Sequence, residues 1–155
     1  MNNYGKKFEQ QFLSDVQQLK DFVIIRLPDQ QSGYFGSRNI ADFIGYKYPL
    51  FYILECKSIK GNTFPLSNLT QYDKLISYSG HEGIRVGVVL WMIDHDTVFY
   101  IPVSTFKKLK EDNKKSFSIK YKGEDDYPHI IIPSVKKRTF LHSDYSCLLE
   151  LPEGF

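Results

Sequence analysis

Two acidic residues and a lysine, carried on two neighbouring β-branched segments, are the residues best suited to chemistry in this sequence. Glu55-Cys56-Lys57 closes an apolar run that begins at Phe51, and Asp42 stands thirteen residues before Glu55. Residues two apart on a strand share a face, so Glu55 and Lys57 project together while Cys56 points into the opposite layer. A tight strand-turn-strand sets the Asp42 carboxylate beside that of Glu55. Two carboxylates and a backbone carbonyl, here that of Cys56, can hold Mg²⁺ with positions left for water and a phosphate oxygen. Such a metal neutralises charge growing on a phosphorane and lowers the pKa of bound water. Lys57 can orient or deprotonate that water, or stabilise the transition state. The chemistry indicated is phosphodiester hydrolysis. A Glu-x-Lys pair on a strand is also commonly a solvated charge pair of little energetic worth. Here it ends an otherwise apolar strand, where charge without a use is costly.

The elements that must position these residues follow from periodicity. Phe8, Phe12, Val16 and Leu19 form one face of a helix from about Lys6 to Lys20, with Glu9 on it. Phe22 to Leu27 is a strand, residues 28–39 a loop, and Ile40 to Ile44 a second short strand turned by Gly45. Phe51 to Lys57, apolar on both faces over its first half, belongs in the middle of a covered sheet. A second helix starts near Ser67 as N-cap and turns Leu69, Tyr72, Leu75 and Ile76 inward. Strands at Arg85–Ile93 and Thr97–Ile101 flank an Asp94-His95-Asp96 turn, and Ser104 or Thr105 caps a short helix. Short strands near Phe117–Tyr121 and Ile130–Ile132 precede a helical turn around Tyr145–Leu149. This order gives an α/β domain with a mixed central sheet covered on both faces.

The chain of 155 residues has room for one domain, 1–155, that buries roughly 70% of its unfolded surface. Apolar residues at 42% and aromatics at 15% exclude disorder. Two cysteines, Cys56 and Cys147, are too few for a disulfide framework or a zinc site and read as small core residues. No segment has the length or character of a signal peptide or membrane span, so the expectation is a cytoplasmic protein without a membrane partner. The net charge is only +2. Ser104 to Lys122 nevertheless holds seven lysines against Glu111 and Asp112, leaving the remainder net negative. That distribution suits an acidic pocket beside a basic rim.

Taken in order, these residues resemble the PD-(D/E)XK nuclease superfamily, and within it the RecU-type Holliday junction resolvases of bacteria and their phages. The resemblance rests on Gly5-Lys6-Lys7-Phe8-Glu9, Ala41-Asp42-Phe43-Ile44-Gly45, Glu55-Cys56-Lys57-Ser58, Asn62-Thr63-Phe64-Pro65-Leu66, Gln71 with Leu75, and Gly83 to Leu90. It extends to Lys136-Lys137-Arg138-Thr139 with Asp144-Tyr145. It implies a restriction-endonuclease-like core, with Asp42 and Glu55 as metal ligands and Lys57 as the catalytic lysine. Glu9 and Gln71 would support the site. It also implies Mg²⁺, with Mn²⁺ able to substitute, and a homodimer acting on four-way DNA junctions without a small-molecule cofactor. Ala41 stands where the superfamily has its proline. The long stalk that bacterial relatives carry between the positions of Leu27 and Asp42 is reduced here to a loop.

The candidate DNA contacts are Lys6, Arg38, Lys60 and the cluster Lys136-Lys137-Arg138. Tyr34, Phe35 and Arg38 sit in the Gln30–Asn39 loop, as a segment that wedges at a junction would. Two other functions share these residues: a restriction-like or repair nuclease on duplex or flap DNA, and a non-catalytic DNA-binding module of the same fold.

Overall fold

The computed structural model describes residues 3–28, 39–138 and 140–155. In chain order the elements are α1 (Tyr4–Val16), β1 (Val23–Arg26), β2 (Phe43–Lys47), β3 (Leu50–Ile59), β4 (Thr63–Pro65) and α2 (Tyr72–Tyr78). They continue with β5 (Ile84–Met92), β6 (Thr97–Pro102), α3 (Val103–Glu111), β7 (Ser116–Ser118), β8 (Ile130–Ile132), β9 (Ser134–Lys137) and β10 (Phe140–Ser143). Asn3 caps α1, its side chain accepting from the Lys6 N–H.

Six strands form the central sheet in the order β1-β2-β3-β5-β6-β8. Only β3 and β5 run parallel; the other pairs are antiparallel, so the sheet is mixed. The long connection that a parallel pair requires carries α2. Alternation along β3 feeds two cores. Tyr52, Leu54 and Cys56 pack with Phe8, Phe12 and Val16 of α1, while Ile53 packs on the other face with Leu75 of α2 and Phe106 of α3. The mixed, helix-flanked sheet expected from the sequence is therefore present.

Several local expectations are corrected. Residues 40–42 precede β2, which runs through Gly45 to Lys47, and the chain reverses at Tyr48-Pro49. Gly45 is a close-approach position: a Cβ there would lie 3.0 Å from the Phe22 ring and 3.1 Å from the Val23 carbonyl. Ser67 does not cap α2. It lies in the 3-10 turn Leu66–Asn68, which buries Leu66 before the helix begins after Gln71. Ser104 and Thr105 lie inside α3 and donate instead to the carbonyls of Gly154 and Pro128. The Phe117 strand is only three residues, pairs with β4 and passes into a 3-10 turn, while β9 and β10 form a hairpin the sequence did not announce. No described helix is long and apolar enough to cross a membrane.

Gly87 shows how tightly β5 and β6 are fitted. A Cβ at this position would stand 2.5 Å from the ring of Tyr100, which is fully buried and cannot swing away. Gly87→Ala is expected to cost about 1–3 kcal/mol through overpacking, read as a lower midpoint in urea unfolding. A midpoint unchanged from wild type would contradict this packing.

Candidate active site

The site lies where β2 begins and β3 runs on past it. In the β2–β3 ladder Phe43 faces Leu54, so the next residue outward, Asp42, comes level with Glu55. Cys56 then has no β2 partner for its backbone, and its N–H donates to Asp42 Oδ2 at 2.8 Å. Strand geometry turns the Cys56 carbonyl to that same side. Two residues on, Lys57 Nζ lies 3.4 Å from Glu55 Oε1, with the Glu55 side chain almost wholly buried and that of Lys57 partly open. The expected convergence of Asp42, Glu55, Cys56 and Lys57 is thus seen in the geometry. Its physical source is hairpin register plus the two-residue period of a strand.

Burial and charge act together on Glu55. Desolvation first, then the Asp42 carboxylate, raise its pKa from 4.5 to about 7, against a smaller opposing pull from Lys57. Burial also raises the Cys56 thiol well above its ordinary range, with Asp42, Glu9 and Glu55 adding to the effect. That thiol faces the α1 core, on the side of β3 opposite Glu55 and Lys57.

Glu9 borders this cluster from α1. Its Oε2 accepts from Arg26 at 3.0 Å, which places it beside the end of β1, where the Leu27 N–H donates to the Asp42 carbonyl. Gln71 occupies the N-cap position of α2. No hydrogen bond ties its side chain to the carboxylates, and its Oε1 is buried without a partner.

Oxygen donors at this fork fit a hard divalent cation. Glu55 Oε2 is buried with no hydrogen-bond donor, and Asp42 spends one oxygen on the Cys56 amide. Among the described residues no three His, Cys, Asp or Glu side chains gather to hold a metal. The oxygen donors at the fork that could hold such an ion are the two carboxylates and the Cys56 carbonyl.

The candidate DNA contacts are dispersed around this centre. Lys6 is exposed on the first turn of α1. Lys60 extends from the end of β3 with its Nζ 5.0 Å from the Tyr4 ring centroid. Lys136 pairs with Asp96 at 3.3 Å, while Lys137 and Arg138 are exposed at the turn of the β9–β10 hairpin. Arg38, with Tyr34 and Phe35, lies outside the described residues. Part of the lysine-rich segment has local partners: Lys110 covers the Tyr72 ring at 3.8 Å, and Lys108 donates to the Asp126 carbonyl. Sequence reasoning missed Arg26, the partner of Glu9, and Asp15. The latter is a buried carboxylate that accepts from the Ser143 N–H at 3.0 Å and from Gln11 at 2.9 Å. A polar residue on the apolar side of α1, at Asp15 next to Val16, was the available signal.

The fold is a mixed α/β sheet flanked by helices, with two carboxylates and a lysine where β2 meets β3. The family model for Recombination protein U matches residues 6–138, and the chain belongs to that family. Its fold is also that of Archaeoglobus fulgidus Hjc, described as a Holliday junction resolvase from an archaeal hyperthermophile. That match has a TM-score of 0.55 and 20% identity and covers 80% of this chain and 92% of the other. No curated protein sequence matches the chain.

The raised pKa fixes how stability depends on pH in metal-free protein. Between pH 4.5 and about 7 the folded state binds a proton that the unfolded state has released, so stability falls as pH rises through this window and then levels off. Glu55→Gln removes this loss. Relative to wild type in chelator, the variant should gain stability from pH 5 to pH 8, by on the order of 3 kcal/mol. Urea unfolding at the two pH values measures it; an unchanged difference would mean Glu55 is not held buried against Asp42.

Proposed function

We propose that this protein is a metal-dependent, structure-selective endodeoxyribonuclease, a Holliday junction resolvase acting in recombination and repair. Residues 1–155 form its nuclease domain. The observation that carries this reading is the buried Glu55 carboxylate without a donor for Oε2, set against Asp42 with Lys57 3.4 Å from its other oxygen. Membership in the Recombination protein U family supports the biological role. The likeness in fold to a protein described as a Holliday junction resolvase is consistent with it.

In this reading Asp42, Glu55 and the Cys56 carbonyl hold Mg²⁺, or Mn²⁺ in its place. The bound ion supplies charge neutralisation at the phosphate and a water acidic enough to be deprotonated near neutral pH. The protein's own residues do the rest. The Cys56 amide holds the Asp42 carboxylate in a fixed orientation. Lys57, partly open to solvent, orients the attacking water or meets the charge that develops on the phosphate oxygens. Glu9, paired with Arg26, and Gln71, with its orphan Oε1, flank the centre as positioning residues. Lys6, Arg38, Lys60, Lys136, Lys137 and Arg138 contact phosphate. The active form is a homodimer that presents one site to each of two opposed strands, in the cytoplasm of a bacterium or phage-infected cell.

Cleavage of a mobile four-way junction, a flap and a linear duplex of the same sequence, each with Mg²⁺ and with chelator, tests the reading. Wild type should cut the junction preferentially and only with metal. Asp42→Ala and Glu55→Ala should each lose about 10³-fold or more, and Lys57→Ala about 10²–10⁴-fold. Either carboxylate variant retaining full activity would remove the assigned site. Faster cutting of the linear duplex would replace the resolvase with a duplex nuclease.

A further inference from the structure

On the α1 side of the sheet, the face opposite the Glu55 and Lys57 side chains, lies a groove of about 400 Å³ of which the reading above uses only Lys136 and Arg138. Its walls come from three distant parts of the chain: Tyr4 and Lys7 of α1, Trp91 of β5, and Lys136, Arg138 and Phe140 of the β9–β10 hairpin. The volume is within the range of small-ligand sites, roughly 300–1,000 Å³. Three aromatic rings meet here. Trp91 packs edge-on to Tyr4 at 5.9 Å and tilted to Phe140 at 6.0 Å between centroids. Lys7, Lys136 and Arg138 bring three positive charges against the single carboxylate of Asp96. None of the cations is committed to a strong partner. Lys7 Nζ rests over the Phe140 ring at 5.8 Å, and the Lys136–Asp96 pair at 3.3 Å has both side chains about half exposed, where such pairs contribute little.

One atom of Trp91, a residue of this wall, lacks what the fold usually supplies. Trp91 is 4% exposed, and its indole Nε1 is buried with no acceptor. A buried indole N–H ordinarily finds a partner, because leaving it unmade costs the desolvation of the group. Of the three orphan side-chain atoms among the described residues, Glu55 Oε2 belongs to the proposed metal site, and Gln71 Oε1 to a residue assigned above to its support. Trp91 Nε1 is the one that site does not account for.

We propose that this groove is a binding site for one unpaired nucleotide of a DNA strand. The base lies against Tyr4, Trp91 and Phe140, and a base or phosphate oxygen supplies the acceptor that Trp91 lacks. The flanking phosphate faces Lys7, Lys136 and Arg138. Aromatic faces of this kind are available to a base only once it has left its pair, whereas cations alone serve any backbone. The pairing of both features selects single-stranded over duplex DNA. The proposal rests on the nuclease reading only for its choice of DNA as ligand.

Trp91 is the only tryptophan in the chain, so its fluorescence reports on the groove directly. The probe is a thymidine tetranucleotide, which has no competing fluorescence, titrated into wild-type protein in chelator. Saturable quenching is expected, at least tenfold weaker for Lys136→Ala/Arg138→Ala, whose side chains are exposed, and unchanged in Glu55→Gln. Absence of quenching overturns the proposal. So does equal quenching by inorganic phosphate, or by a short duplex at equal nucleotide concentration, since either reduces the groove to a general anion surface. Full quenching in the double variant also overturns it. Junction cleavage measured beside the titration keeps the two readings apart: quenching without cleavage removes the nuclease assignment alone, and cleavage without quenching removes the groove alone.

Discussion

A buried carboxylate facing a second carboxylate is the constraint around which this molecule is built. Left alone, Glu55 and Asp42 would repel one another in a setting where water cannot screen them. Lys57 and the Cys56 amide answer part of that repulsion, the first by charge and the second by orienting Asp42. The arrangement holds only while the β2–β3 register holds, because a slip of one residue would turn Glu55 and Lys57 into the α1 core. Register is in turn secured on both faces: by Tyr52 and Leu54 against α1, and by Ile53 against the layer of α2 and α3. The two cores thus fix the position of two charges that their own energetics would drive apart.

The rules that act over short distances along the chain were legible before the fold was known. The shared face of Glu55 and Lys57 follows from the strand period, and the approach of Asp42 follows from a hairpin. The helix face of Phe8, Phe12 and Val16, all buried, is equally local. Gly45 was misread because a glycine can serve a turn or a close approach, and only the Phe22 ring across the strand pair decides which. The short strands β9 and β10 carry Lys136, Lys137 and His142 and lack a clean alternation of apolar residues. The Glu9–Arg26 pair, and the groove whose walls come from α1, β5 and β9–β10, depend on tertiary placement that no local pattern encodes.

Charge, almost balanced over the whole chain, is separated in space. Asp42 and Glu55 meet where β2 begins, and exposed basic groups lie on α1, after the end of β3 and on the β9–β10 hairpin. A net charge of +2 is therefore a poor guide to the local field. What a polyanion meets on approach is set by a basic rim within a Debye length, roughly 10 Å, rather than by the total.

Asp15 joins the two ends of this arrangement: from α1 it accepts the amide of Ser143 at the close of β10. The carboxylates at 42 and 55 are brought level by one hairpin, whereas the groove needs residues 4 and 140 at once. During synthesis from the N-terminus, the strands bearing the carboxylates emerge well before the basic hairpin that completes the groove. A nascent chain would thus carry both carboxylates for some time without the wall that Asp15 later latches in place.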